Sequence, residues 1–244
     1  MPLRSRDRRA GASQQLRMLG LAQDRTAPDD VPFELTLTFD NGPMAATPTV
    51  LDLLAHYGIK ATFFVCGKQM VRPALREYAE RAHAEGHWIG NHTFSHGPSF
   101  GNLDDPAVAI DEIEETQRLI GGLAHPARWF RPYANSGHLD QRVLNRVALD
   151  HLRAGRYSMV LWNSLPRDWE TSGWVEIALA HCDEQPWSVM VLHDNFDRAL
   201  PGLERFLPEV LARGGRFRQD FPPACVPIRN GDIISPVDHL LRKS

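Results

Sequence analysis

Phe33-Glu34-Leu35-Thr36-Leu37-Thr38-Phe39-Asp40 alternates apolar and polar side chains without a break, then runs into Asn41-Gly42-Pro43. Alternation of period two reads as a β-strand, and Asn-Gly followed by Pro ends it in a turn. Thr47-Pro48 next reads as an N-cap with proline at the first helical position, and Val50, Leu51, Leu53 and Leu54 carry a helix to Gly58. Residues 61–65 (ATFFV) form a second short strand. This strand–helix–strand unit decides the fold, because two strands separated by a helix pair in parallel through a right-handed crossover.

The rhythm repeats along the chain. Residues 73–85 read as a polar amphipathic helix stopped by Gly86, and residues 87–92 as a strand. A helix opens at Asp104-Asp105-Pro106, runs through Ile110, Ile113, Leu119 and Ile120, and closes at Gly121-Gly122. Strands at 128–131, 157–162 and 188–193 alternate with helices at about 139–153, 174–182 and 203–213, and residues 216–221 read as a last strand. About seven parallel strands and six helices suit a barrel or an open doubly wound sheet. Neither GxGxxG nor GxxxxGK[ST] follows any strand, and about 210 residues in one rhythm favour a single barrel-like α/β domain. The domain is expected over residues 31–221, after a basic arm (1–30) and before a proline-rich tail (222–244) that wraps its surface.

Composition removes several function classes. A net charge of −3 gives no basis for nucleic-acid binding. Hydrophobic residues at 43% and charged residues at 23% are globular values, which rules out disorder. Cys66, Cys182 and Cys225 are odd in number and far apart, so neither a disulfide framework nor a CxxC zinc site is expected. No run of about 18 apolar residues predicts a membrane span. Six arginines in residues 1–25 precede only the short apolar stretch Met18-Leu19-Gly20-Leu21-Ala22, against the ~7–15 residues of a secretory core. A cytoplasmic location is therefore the expectation. The arm reads as a solvated extension or a contact for self-association, with a transit peptide as the other reading.

The reactive side chains fall at strand ends. Asp40 ends the first strand, His92 the third, Arg131 the fourth and His193 the sixth, while Asp168 lies shortly after the fifth. Parallel α/β folds build their sites at the carboxyl ends of strands, so the coincidence points to one mouth. His92 and His96, four residues apart, face the same way on a helix and can also close a chelate on a tight loop; paired imidazoles suit a catalytic metal. His138 lies in a loop that could approach the mouth. The other histidines read as surface or packing residues. Phe63, Phe64, Trp129, Phe130 and Trp162 read as core, and Trp174 and Trp187 as helix or loop packing rather than rim.

TFDNGP (38–43), HTFSH (92–96), FRPY (130–133), RDWE (167–170) and VLHDN (191–195), in this order, resemble the five motifs of the polysaccharide deacetylase family, also called the NodB homology domain or carbohydrate esterase family 4. GIKATFFV (58–65) and EGHWIGNH (85–92) resemble it too, and the likeness spans about residues 33–221. It implies a deformed (β/α) TIM-like barrel that removes acetyl groups from N-acetylated sugars with a divalent metal, usually zinc, with Co2+, Ni2+ or Mn2+ as alternatives. Carried over motif by motif, Asp40 is the general base and Arg131 holds it. Asn41, His92 and His96 are metal ligands. His193 is the general acid, paired with Asp168. Trp169 and Leu192 wall the acetyl methyl, and the oxyanion faces the backbone N–H of Tyr133 or that of Ala134.

Two departures stand out. The family usually has Asp where this chain has Asn41, a poorer ligand that predicts weaker metal binding; the alternative is that Asp40 itself moves onto the metal and gives up its role as base. The usual RPPYG reads Arg131-Pro132-Tyr133-Ala134-Asn135, and an earlier aspartate of the fourth motif is Leu165. The expected substrate is an N-acetylated carbohydrate or a related small amide. The alternatives are a cyclic amide or imide hydrolase on the same fold, or a metal-poor carbohydrate-binding protein with a degenerate site.

Overall fold

The computed structural model describes residues 32–195 and 199–243. Its centre is β1 (Glu34–Asp40), and all seven residues of that strand are buried. The alternation therefore does not divide solvent from core. Leu35, Leu37 and Phe39 pack outward against the helices, within the larger apolar layer that includes Phe206 and Trp174. Thr36, Thr38 and Asp40 take the opposite parity, and their polar groups find internal partners. Thr38 Oγ1 donates to the Met190 carbonyl at 2.7 Å, and Thr36 Oγ1 donates to that of Asp220 at 2.7 Å. A polar face in a doubly buried strand must be satisfied from within.

Around β1 the remaining strands are β2 (Thr62–Val65), β3 (Trp88–Asn91), β4 (Trp129–Phe130), β5 (Ser158–Met159), β6 (Trp187–His193) and β7 (Arg216–Arg218). They pair in parallel in the order β6-β1-β2-β3-β4-β5. β2 and β7 share one edge of β1, β7 against residues 34–36 and β2 against residues 38–40. Beyond β5, Ser164 bridges to Met190 of β6 and closes the ring. Seven parallel strands thus form a deformed barrel, as the strand–helix rhythm implies.

The helices are α1 (Thr47–His56), α2 (Gly67–Met70), α3 (Pro73–Ala84), α4 (Val108–Ile120), α5 (Arg146–Ala154), α6 (Trp174–Glu184) and α7 (Ala199–Ala212). Several boundaries differ from expectation: α7 begins at Ala199 rather than 203, and β5 and β7 are shorter than residues 157–162 and 216–221. Two further differences have a local reason. α5 begins at Arg146 rather than near 139, because Asn145 Oδ1 caps it by accepting from Ala148 N–H at 2.7 Å. Thr47 is not the cap of α1; that position is Ala46, and the Thr47 hydroxyl is committed to Asp194 Oδ2.

The tail does more than wrap the surface. It adds β8 (Ile228–Arg229), antiparallel to β5, and β9 (Asp232–Ile233), antiparallel to β8. Cys225, Val226, Ile228 and Leu240 bury fully in the inner apolar cluster with Phe130 and Met159. The basic arm expected over residues 1–30 lies outside the described residues. Among those described, no helix is long and apolar enough to cross a membrane.

Candidate active site

Strand register assembles the mouth. Asp40 lies directly beside His193 in the β1–β6 pair. Asn91, the last residue of β3, pairs with Val65 and with Phe130, so His92 and Arg131 emerge next to each other one residue later. In-register parallel neighbours project to the same face, and the parity that points Thr38 and Asp40 inward does the same for Val191 and His193.

Arg131 is fully buried at the centre of this mouth. Its Nη1 donates to Asp40 Oδ1 at 2.8 Å and to Thr38 Oγ1 at 2.6 Å. The guanidinium lies over the Phe64 ring, 4.1 Å from its centroid. A buried cation is costly unless it is paired and bonded, and here the Asp40 carboxylate, a hydroxyl and strand carbonyls share it. The same residue works through its backbone, because the Arg131 carbonyl sits 2.8 Å from His92 Nδ1. A carbonyl can only accept, so Nδ1 carries the proton and Nε2 is left with its lone pair. One residue therefore holds Asp40 and sets the His92 tautomer.

His92 Nε2 lies 3.7 Å from Asp40 Oδ2. The His96 ring is 5.1 Å from that of His92 and 4.3 Å from that of Tyr133. Burial keeps both imidazoles neutral. It pushes the His96 pKa down to about 3, with the neighbouring His92 adding to the effect. It also pushes His92 down, against the opposing pull of Asp40 and the Arg131 carbonyl. Neutral imidazole is the ligand form. Beside them, Asn41 Oδ1 is buried with no hydrogen-bond partner among the described residues. An orphaned buried carbonyl oxygen carries a desolvation cost of ~1–3 kcal/mol unless something completes it. Two neutral imidazoles and one unpartnered amide oxygen fit a divalent cation. Among the described residues no three His, Cys, Asp or Glu side chains cluster as a metal site, so this donor set depends on Asn41.

Across the mouth His193 is treated differently. Its Nδ1 is 2.8 Å from Asp168 Oδ1, and its backbone N–H donates to Asp168 Oδ2 at 2.7 Å. Burial disfavours the charged ring. The hydrogen bond and charge of Asp168 outweigh it, helped by Asp40 and Asp194, and the His193 pKa is raised. Trp169 stands edge-on to the His193 ring at 4.9 Å.

These groups line a cavity of about 400 Å³ that includes Asp40, Asn41, His92, His96, Tyr133, Trp169 and His193. Arg131 and Asp168 stand behind it, in contact with Asp40 and His193 respectively. Leu192 is the exception. It is 1% exposed and packs outward with Leu35 and Phe39, because side chains alternate along β6 and its parity is opposite to that of His193. Val191 takes the wall position expected of Leu192, together with Trp162 and Leu165. Trp162, which reads as core in the sequence, is therefore also a cavity residue. His138 is exposed and does not line the cavity. Trp174 and Trp187 stay away from the mouth, the first buried against Phe206 and the second bonded to Thr36 at 2.9 Å.

Sequence reasoning passed over Asp194. It lines the cavity, it is fully buried, and burial pushes its pKa up to about 6 against the Thr47 hydrogen bond. A Cβ on Gly42 would meet Asp194 Oδ2 at 2.8 Å, so the tight turn after Asp40 needs glycine there. The signal was present in the His193-Asp194 dipeptide at a strand end.

Likeness to known proteins agrees with this geometry. Residues 29–153 match the polysaccharide deacetylase family. A chitooligosaccharide deacetylase from Bradyrhizobium sp. (strain ANU 289) is 35% identical over 187 residues, 75% of this chain and 78% of that one. A peptidoglycan-N-acetylglucosamine deacetylase from Bacillus cereus is 31% identical over 192 residues, 75% of this chain and 84% of that one. A family 4 acetyl xylan esterase from Clostridium thermocellum, solved with a cobalt ion, superposes with a TM-score of 0.62 at 25% identity, over 76% of this chain and 87% of that one. Matched in sequence over half its length and in fold over three quarters, the chain belongs to the polysaccharide deacetylase family.

Proposed function

We propose that this chain hydrolyses the acetamido group of an N-acetylglucosamine-containing oligosaccharide, with a divalent metal, most suitably zinc, held by His92 Nε2, His96 and Asn41 Oδ1. The observation that carries the reading is the double use of Arg131, whose guanidinium grips Asp40 and whose carbonyl frees His92 Nε2. The chitooligosaccharide and peptidoglycan deacetylases it resembles support the substrate class, and the cobalt-bearing esterase supports a metal. When bound, such an ion polarises the acetyl carbonyl and acidifies the attacking water.

The rest of the chemistry falls to the chain. Asp40 Oδ1 is occupied by Arg131, so Oδ2 is the oxygen that accepts the water's proton as the nucleophile forms. The tetrahedral oxyanion takes a hydrogen bond from the Tyr133 backbone N–H. An amine leaves poorly unless it is protonated. With Nδ1 tied to Asp168, His193 presents Nε2–H to the departing nitrogen as general acid. Val191, Trp162, Leu165 and Trp169 enclose the acetyl methyl, where Leu165 adds apolar surface at the position of an earlier family carboxylate.

Acetate release tests the reading. Metal-loaded protein is offered N-acetylglucosamine oligomers, acetylated xylo-oligosaccharides and a cyclic imide. Acetate from the first class, abolished by chelation and restored by metal, is the expected result. Acetate from xylo-oligosaccharides alone would make the chain an O-deacetylase, ring opening of the imide would make it a cyclic amidase, and saccharide binding without turnover would make it a binding protein.

A further inference from the structure

Residues 92–96 carry two of the three donors assigned above, and their backbone is strained. Thr93 (φ 65°) and His96 (φ 50°) both lie in the left-handed region, which a β-branched residue in particular avoids. Such a segment keeps its shape only where the surroundings over-determine it. Thr93 N–H donates to Asn91 Oδ1 at 3.0 Å, and the Thr93 carbonyl accepts from Gly67 N–H at 3.0 Å. The Phe94 carbonyl accepts from Lys68 N–H at 2.9 Å, and the Ser95 carbonyl from Lys68 Nζ at 2.8 Å. The two N–H groups that remain between the histidines, those of Phe94 and Ser95, converge on one atom. Both donate to Glu112 Oε2, at 2.9 and 2.8 Å.

Glu112 projects from α4 and does not line the cavity. Its carboxylate oxygen fixes two consecutive peptide planes, and so fixes the direction in which the chain enters His96. Resting on the metal reading above, we propose that Glu112 is a positioning residue that sets the separation and orientation of the His92 and His96 rings for the ion. It acts through the backbone, bonding the peptide N–H groups between the two ligands rather than a ligand ring, and so orients the ligands from outside as partners of ligand side chains do. Nothing in the sequence marks it, since an acidic residue on an amphipathic helix reads as a solvated face.

The test uses the full chain and Co2+ as probe, with affinity and visible absorption as readouts beside the melting temperature of the metal-free protein. Glu112→Ala is expected to weaken Co2+ binding by roughly 10–100-fold and to alter the absorption band, with little change in metal-free melting because Phe94 and Ser95 are only partly buried and water can replace the lost bonds. Glu112→Gln keeps an oxygen able to accept both N–H groups and is expected to recover most of the affinity. Glu115→Ala removes a neighbouring carboxylate that pairs with Arg118 instead, and it is expected to bind Co2+ like the wild type. Should Glu112→Ala not fold, Glu112→Asp, one methylene too short to hold both groups, is read in its place. Wild-type affinity and spectrum in Glu112→Ala, or in Glu112→Asp where that variant is read instead, overturns the proposal alone. Equal loss in Glu112→Ala and Glu112→Gln overturns it too, by assigning the effect to charge. Absence of Co2+ uptake by the wild type overturns the metal reading, and this proposal with it.

Discussion

On the β3 side of the mouth, His92 donates Nδ1–H to a backbone carbonyl and His96 lies against Tyr133, and burial holds both rings neutral. On the β6 side, His193 has the same element type beneath it and is also largely buried, yet it rests on the Asp168 carboxylate and holds its proton to higher pH. Burial acts in the same direction on all three. For His92 and His193 the partner of Nδ1 decides the outcome, since a carbonyl orients the ring without charging it and a carboxylate does both. The mouth thus separates two neutral histidines, the proposed ligands, from a histidine that keeps its proton, the proposed acid, by what surrounds each ring.

The largest effects come from removing the acid or the base. Asp40→Asn and His193→Ala are each expected to lower kcat for acetate release by roughly 10²–10⁴-fold, the usual range for a positioned proton-transfer group. Asp40→Asn should still bind Co2+, whereas a His92→Ala variant should not. If Asp40→Asn also lost the metal, the line drawn between ligand side and acid–base side would be in the wrong place.

The parity of β6 sharpens the comparison on stability grounds. Leu192→Ala should destabilise the fold by about 2–5 kcal/mol in denaturant titration, with KM little changed, because it empties a site in the outer layer. Val191→Ala should change KM or kcat through the cavity wall. A reversal of the two outcomes would return Leu192 to the pocket.

Asp168→Asn addresses the charged histidine directly. In the wild type His193 titrates above its ordinary value, so activity that needs His193 protonated persists to higher pH and falls only as pH rises through the raised value. Asn removes the carboxylate and leaves burial, which acts the other way. The alkaline limb of the kcat profile should therefore move to lower pH. An unmoved limb would mean that His193 is not the acid. The smallest expected effect is that of Asn41→Asp, which should tighten metal binding by about tenfold by replacing an amide oxygen with a carboxylate. Equal affinity by titration would show that Asn41 is not a ligand.

Much of this site was legible because its residues stand at strand ends and the strands announce themselves. Strand ends give Asp40, His92, Arg131 and His193, with Asp168 shortly after the fifth strand; the four-residue spacing adds His96, and the motif order supplies Asn41. Other features escaped for identifiable reasons. Leu192 comes over with the VLHDN motif, whereas counting back by two along the strand from His193 reaches Val191. The start of α5 was placed early because Leu139, Val143 and Leu144 are apolar and buried, although they lie in a loop and Asn145 marks the true cap. Thr47 looked like a cap because Thr-Pro commonly is one, and only the fold brings Asp194 to its hydroxyl. The burial of the tail also depends on tertiary pairing, since β8 is two residues long and has no periodicity to read.

The most direct test is anomalous diffraction from crystals grown with Co2+. The account predicts a single strong peak bonded to His92 Nε2, His96 and Asn41 Oδ1, with Asp40 still held by Arg131 and His193 still on Asp168. A peak on Asp40 and His193 instead, or no peak at this mouth in protein that releases acetate, would contradict it.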